Sequence, residues 1–390
     1  MKILYDHQIF YRQNYGGVSR YFCEIMNQFS KDPDICFNLA LRFVLNDNLA
    51  QFPQLNEYWS GRYNGLYNNL FVSLLQKKIR FNALNFGLNF LINNRGESIR
   101  LLKKQDFDIF HPTYYEPYFL KYLQKKNFVL TVYDMIHEIF PEYFKPDDQT
   151  RVWKKKLIEN AGVVIAISEN TKKDIIKFTN VDSNLVQVLH LGNPFELHNE
   201  PPHVNASSDI PVFGKPYLLF VGDRSRYKNF DFFIESVAEL LVEQEELQVV
   251  CAGSSPFTEK EKKLLKNLNI LHKVHQIKIN DATLKYLYKN TRAFIFPSRY
   301  EGFGLPILEA FSCGCPVIVS NSSSLPEIGG DGAIYFDPCN KESIICAVET
   351  VLSNEKYRED LIKKGSERLK FFSWEKTAES TKKVYNNLLH

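Results

Sequence analysis

Apolar positions along the chain follow two alternating patterns. Short, nearly continuous apolar runs recur in the first half: KILYDH (2–7), FNLALRF (37–43), FDIFHP (107–112), FVLTVYD (128–134), GVVIAIS (162–168) and VQVLHLG (186–192). The second half repeats the habit with YLLFVG (217–222), LQVVCAG (247–253), HQIKI (275–279), AFIFPS (293–298), PVIVSN (316–321) and AIYFD (333–337). Runs with so few polar interruptions predict strands covered by helices on both faces. Between them lie amphipathic stretches such as DFFIESVAELLVEQ. This alternation predicts an α/β protein with parallel, doubly wound sheets.

Two segments break the rhythm. Residues 193–216 (NPFELHNEPPHVNASSDIPVFGKP) carry five prolines and few apolar side chains, the composition of an interdomain linker. The chain is also too long for one ordinary core and suits two domains, expected at 1–195 and 196–372. Residues 57–104 lack proline and read as helical. There Phe71, Leu75, Ile79, Ala83, Phe86 and Phe90 share one helical face. That face either packs on the first domain or forms an acceptor- or membrane-docking surface, with Lys77, Lys78 and Arg80 toward lipid phosphates.

Charge and cysteine content narrow the classes. A net charge of +3, with no long Lys/Arg run, argues against nucleic acid as a partner. The seven cysteines are scattered and show no CxxC spacing, which predicts reduced thiols in a cytoplasmic compartment. No apolar run approaches the roughly 18 residues needed to cross a bilayer, so a soluble protein is expected, with peripheral membrane contact left open. The N-terminal MKILYDHQIF meets Asp6 after three apolar residues and reads as a first strand rather than a signal peptide.

Three strand-to-helix junctions carry candidate chemistry. In AFIFPSRYEGFGLPILEAFSCGCP a strand runs through a glycine turn into a helix, with Pro306 in its first turn and Gly314 at its end. The amides of Gly302, Phe303, Gly304 and Leu305 then lie at a helix N-terminus, a place for phosphate or a hydroxyl-rich ligand. Glu301 precedes the turn and Glu309 sits about one turn inside the helix, so the two can serve two different sets of hydroxyls. The alternative makes Glu309 a dipole partner and Glu301 a solvated acid. In FVGDRSRYKNFDFFIES, Gly222 is followed by Arg224, Arg226 and Lys228 just before a helix, which suits a diphosphate. In NYGGVSRYFCEIM, Gly16 and Gly17 join the first strand to the first helix and allow close approach of a ligand. GxGxxG and GxxxxGK[ST] are both absent, which disfavours a nicotinamide-dinucleotide enzyme or a Walker-type NTPase. DPD (32–34) and DFD (106–108) have no supporting ligands, so no metal is expected.

PSRYEGFGLPILEAFSCGCPVIVSN, with its Glu–seven residues–Glu spacing, resembles the donor-binding signature of family 4 glycosyltransferases, the retaining GT-B type. The resemblance extends, in order, through GGVSRYF, AISENTKKDI, VGDRSRYKNF, SSLPEIGGDGAIYFDP and FSWEKTA. It implies two Rossmann-like domains facing a cleft, with the C-terminal helix 373–390 returning to the first domain. It further implies a nucleotide-sugar donor, a glycan, glycolipid or glycoprotein acceptor, and no metal or other cofactor. By position, Glu301 binds the transferred sugar and Glu309 the ribose. Arg224 and Lys228 hold the diphosphate, which Gly17 approaches from the other domain. The amides of Phe303, Gly304 and Leu305 help, and Gly222 and Ile279 are further donor-binding candidates. Relatives carry His-Asp where this chain has Tyr133–Asp134, so Tyr133 and His111 are the candidates for the cleft side chain near the reacting carbon, with His137 one turn on. The family arginine beside the lysine is replaced by Tyr227, which leaves Arg224, ahead of Arg226, as the arginine partner.

The resemblance also implies a mechanism. Charge building on the diphosphate meets Arg224, Lys228 and helix N-termini. The sugar passes through an oxocarbenium-like state, and the acceptor hydroxyl attacks on the same face. LYDHQIF, YGGVSRYF and GLPILEAF together resemble bacterial-type mannosyltransferases that build surface polysaccharides, which favours GDP-mannose over a UDP-sugar. A non-catalytic nucleotide-sugar-binding protein, a nucleotide-sugar epimerase on the same fold, and a homodimer are the alternatives kept open.

Overall fold

The computed structural model describes residues 1–42, 44, 46–60, 93–195, 214–224, 226–253 and 255–389. The apolar stripe from Phe71 to Phe90, its three cations, and linker residues 196–213 lie outside the described residues.

Every predicted apolar run contains a strand. In the N-terminal half, β1 (Lys2–Tyr5), β2 (Cys36–Leu39) and β3 (Ile109–His111) form one parallel sheet in the order β2-β1-β3. A second sheet, β4-β5-β6, comprises Val129–Val132, Val163–Ala166 and Val186–Val188. A single parallel bridge between Phe110 and Phe128 brings the two sheets edge to edge. In the C-terminal half, β7 (Tyr217–Val221), β8 (Gln248–Ala252), β9 (Val274–Ile277), β10 (Ala293–Phe296), β11 (Val317–Ser320) and β12 (Ala333–Phe336) form one six-stranded sheet. Its order is β12-β11-β10-β7-β8-β9, all parallel. All residues of β4, β5, β7, β8, β10 and β11 are buried, as two-sided helical cover requires.

The helices used below are α1 (Gly17–Phe29), α2 (Thr150–Ile158), α3 (Glu169–Phe178), α4 (Phe230–Glu243), α5 (Glu259–Asn267), α6 (Asp281–Asn290), α7 (Leu305–Ser312), α8 (Leu325–Gly329) and α9 (Trp374–Leu389). Helix α9 ends the chain against the N-terminal sheet. The Tyr385 and Tyr5 hydroxyls meet at 3.1 Å, and Lys382 pairs with Asp32 at 2.6 Å. At its start Trp374 is fully buried, and any side chain at Gly192 would overlap the Trp374 backbone.

Polar contacts tie the two halves together. The Tyr300 hydroxyl donates to Asp174 at 2.8 Å and accepts from the Met135 amide at 3.2 Å. Glu327 on α8 accepts from the first amides of α3, Glu169 at 2.8 Å and Asn170 at 3.2 Å, and pairs with His190 at 2.6 Å. A carboxylate at a helix N-terminus meets both orphan donors and the positive dipole end. All seven cysteines are free thiols. Among the described residues no helix is long and apolar enough to cross a membrane.

Candidate active site

In an open parallel sheet, ligands settle beyond the carboxyl ends of the strands where the strand order reverses. In the C-terminal sheet that point lies between β7 and β10, which are neighbours. The loop after β7 brings Lys228 and the loop after β10 brings Glu301, and Lys228 Nζ lies 2.6 Å from Glu301 Oε1. Their side chains keep 17% and 14% exposure, so a ligand can reach both. Lys228 Nζ also stands 5.4 Å from the ring centroids of Tyr227 and Phe296, within cation–π range. Two serines pin the Glu301 loop. Ser323 Oγ accepts from the Glu301 amide at 2.8 Å, and Ser324 Oγ donates to the carbonyls of Glu301 and Phe303.

Helix α7 starts directly after this loop. Its N-cap is Gly304 at φ 115°, a conformation that suits only glycine, and no side chain caps the helix there. Helix α1 starts at Gly17; Gly16 itself offers no cap, and the Gln13 side chain accepts from the Ser19 amide at 3.2 Å. The first residues of the two helices are neighbours: a Cβ at Gly17 would lie 3.2 Å from Leu305 Cδ1. Helix N-termini present free amides and the positive dipole end, the features that suit a diphosphate.

Glu309 lies one turn into α7. Its carboxylate accepts from the Tyr288 hydroxyl of α6 at 3.0 Å, the one hydrogen-bond donor to it among the described residues. Burial pushes its pKa up to about 7, against the pull of the Tyr288 hydrogen bond. It keeps partial contact with solvent at the cleft floor, so a ligand hydroxyl can reach it. Across the cleft the Tyr15 hydroxyl donates to Asp281, at the start of α6, at 3.0 Å.

Gly222 and Ile279 fall in one slot at the ends of β7, β8 and β9. Gly222 adopts φ 111° and has open space where a side chain would stand. Gly253 (φ 86°) lies between them, and a Cβ there would be 3.5 Å from Ile279 Cδ1. Sequence reasoning missed Gly253, although VVCAGSS repeats the strand-then-glycine pattern of LLFVGDR.

Three expected residues lie elsewhere. Arg224 is engaged by partners other than the Lys228–Glu301 pair. Its guanidinium is buried, bonded to Glu261 of α5 at 2.7 Å and to the Ser255 carbonyl at 2.8 Å, and packed on the Phe257 ring. A carboxylate and an aromatic face within reach outcompete an open cleft for this cation. Arg226, ranked second from sequence, is exposed and reaches Tyr143 of the N-terminal half, 5.7 Å from the ring centroid. His111 is a core histidine. Both ring nitrogens are engaged, by Tyr385 at 2.6 Å and Thr131 at 2.9 Å, and burial pushes its pKa down to about 3. Tyr133 turns its ring inward against Tyr21 and Tyr115, because strand alternation at the end of β4 points it away from the cleft. The next residue, Asp134, takes the cleft position. Its side chain is 37% exposed, and its Cβ lies 3.1 Å from where a Cβ on Gly302 would be. His137, one turn on, stacks on Phe144 at 3.7 Å beside Asp148. The acids proposed and dismissed as metal ligands are ion-paired, Asp32 with Lys382 and Asp106 with Lys2.

Comparison with known proteins agrees with this architecture. Residues 58–194 match the model of Glycosyltransferase Family 4, and residues 208–368 match that of Glycosyl transferases group 1. The O-antigen chain mannosyltransferase B of Escherichia coli is 28% identical over 312 residues, which cover 76% of this chain and 79% of that protein. The O-antigen chain mannosyltransferase RfbU of Salmonella typhimurium is 29% identical, over 58% of this chain and 61% of its own length. Among solved structures, a glycosyltransferase from Rickettsia africae superposes with a TM-score of 0.68 at 19% identity, covering 100% of this chain and 98% of that one. Anabaena HepE, solved with UDP and glucose, superposes with a TM-score of 0.70 at 15% identity, over 99% of both chains. At such identities these structures speak for the fold alone. The chain is a glycosyltransferase of the GT-B fold, belonging to the family 4 and group 1 glycosyltransferases.

Proposed function

We propose that this enzyme transfers mannose from GDP-mannose to a hydroxyl of a growing surface polysaccharide, retaining the anomeric configuration and needing no metal ion. The observation that carries the reading is the meeting of Lys228 and Glu301 at the switch point, beside the neighbouring N-termini of α1 and α7. Mannose and the polysaccharide acceptor rest on the relatives, which are named as O-antigen chain mannosyltransferases.

The chemistry follows from the charges. The nucleotide lies along Gly222, Gly253 and Ile279, its ribose hydroxyls toward Glu309. The diphosphate lies between the two helix N-termini, within reach of Lys228. As the bond between the anomeric carbon and the diphosphate oxygen breaks, its electron pair leaves with the diphosphate. Lys228 and the backbone amides are already oriented toward that charge, which stabilises the transition state without reorganisation. They take the place a metal ion would otherwise fill. Glu301, held by Lys228, is suited to accept hydrogen bonds from sugar hydroxyls rather than to attack carbon. The acceptor oxygen bonds to the anomeric carbon on the departing face, and its proton passes to the leaving phosphate oxygen.

The test is transfer from GDP-mannose, UDP-glucose and related donors to oligosaccharide acceptors, with and without a chelator, with the product anomer read by NMR. Mannose transferred with retention in chelator supports every part. Transfer from a UDP-sugar alone replaces the donor, and inversion overturns the mechanism. Isomerised sugar released without acceptor points to an epimerase, and binding without turnover to a non-catalytic protein.

A further inference from the structure

Behind the cleft wall lies a cation that the scheme above does not use. Lys154 of α2 is fully buried, with 0% side-chain exposure. Its Nζ lies 2.8 Å from Glu138 Oε2, which is itself buried, and 2.9 Å from the Asp134 carbonyl. The Asp134 carboxylate is 3.8 Å away, and the Tyr115 ring centroid 5.6 Å. Burying an ammonium and a carboxylate costs several kcal/mol per ion before their attraction is counted. A leucine at 154 facing an apolar residue at 138 would serve packing better. The cost falls just past the end of β4, beneath Asp134.

Of the three charged groups, only Asp134 reaches the cleft. Its Oδ1 accepts from the Ile136 amide at 3.1 Å, which fixes the turn. Its backbone is anchored by Lys154 and its Cβ is set against Gly302, next to Glu301. We propose that Lys154 is a positioning residue for glycosyl transfer: it holds the Asp134 carboxylate beside Glu301, where Asp134 accepts a hydroxyl of the transferred sugar. This rests on the transferase reading above.

The test compares Lys154→Met, Asp134→Asn and the double variant by steady-state kinetics, with GDP titration and thermal melting as controls for folding. Each single variant is expected to lower kcat by about 10- to 100-fold, the scale of a misplaced contact. Donor KM should stay within about 3-fold, the sign of a contact used in the transition state. The double variant should fall no more than about 3-fold below the weaker single one, since both changes remove the same contact. Losses that multiply, or a Lys154→Met enzyme as active as wild type per folded molecule, overturn the inference. Lys154→Met strands Glu138 without a counterion and can fail to fold, so Lys154→Met/Glu138→Gln is made alongside. That variant removes the buried charges together and should remain slow; wild-type kcat in it overturns the inference. An inert wild-type enzyme with every donor sinks the transferase reading and this inference with it. An active wild type with multiplying losses sinks this inference alone.

Discussion

Gly302 of the C-terminal half packs directly on the Tyr133 carbonyl of the N-terminal half, so closely that a Cβ at 302 would fall inside the carbonyl oxygen's van der Waals shell. The Gly302 carbonyl, in turn, accepts from Ser168 at 2.7 Å and Thr171 at 3.2 Å, at the start of α3. The loop that carries Glu301 is thus seated on the opposite domain through the Gly302 backbone as well as the Tyr300 side chain. Gly302→Ala should hold the domains apart at this point and lower kcat by about 100-fold or more, since a displacement of about 1 Å suffices for that loss. Gly222, Gly253 and Ile279 all lie in the C-terminal half, away from this contact in sequence, so nucleotide binding should survive. Kinetics beside a GDP titration checks this; full activity in Gly302→Ala would mean that catalysis does not use this closed contact.

The Lys228–Glu301 pair gives a second prediction. Lys228→Ala removes the cation proposed to meet the departing diphosphate and leaves Glu301 without its partner. Turnover should fall on the order of 10²–10³, comparable to losing one preorganised stabilising donor. Glu301→Gln keeps the shape and some hydrogen bonding, so it should lose less than Lys228→Ala. The ratio of the two kcat values, measured at saturating donor, checks the ranking.

How much of this was legible in the sequence depended on what each signal measures. Apolar runs such as YLLFVG and AFIFPS located β7 and β10 because two-sided burial leaves no other pattern. Gly304 and Pro306 located the start of α7 because their backbone demands are local. Arg224 was misplaced because its partner Glu261 is 37 residues away, on a helix whose position the sequence does not encode locally. Tyr133 and Asp134 were confused because a strand end reverses side-chain direction at every residue, and a one-residue uncertainty exchanges core for cleft. His111 looked like a cleft residue because a histidine at a strand's end carries no mark of the two hydroxyls that enclose it.

Glu309 gives a pH-dependent prediction. Its pKa in the folded protein is raised from 4.5 to about 7, so the folded state holds the proton more tightly than the unfolded chain. The associated stability is fully present below about pH 4.5 and is lost as pH rises through about 7. Glu309→Gln removes the ionisation. Its melting temperature relative to wild type should therefore rise by a few degrees between pH 4.5 and pH 8, on the order of 1–2 kcal/mol once partial solvent contact is allowed for. Donor binding should move oppositely: ribose hydroxyls donate to the ionised carboxylate, so wild-type affinity should increase through about pH 7 and that of Glu309→Gln should not. Calorimetric titration at pH 5.5 and pH 8 checks the second half; an unchanged affinity would remove Glu309 from the donor site.

Arg224 and Arg226 stand two residues apart and should respond in opposite ways. Arg224 is buried against Glu261, which also caps α5 by bonding back to Thr258. Arg224→Met leaves that carboxylate buried without its cation, held by Thr258 alone, a loss of about 3 kcal/mol by analogy with other broken buried pairs. Its melting temperature should drop sharply, while kcat per folded molecule changes little. Arg226 is exposed and meets Tyr143 across the cleft. Arg226→Met should leave the melting temperature within about 2 °C, since exposed substitutions usually stay within about 0.5 kcal/mol. A diphosphate in the cleft would feel the loss of that cation, so donor KM should rise. Melting curves and donor KM measured on both variants separate the two roles; a stable Arg224→Met enzyme with a raised donor KM would return Arg224 to the diphosphate.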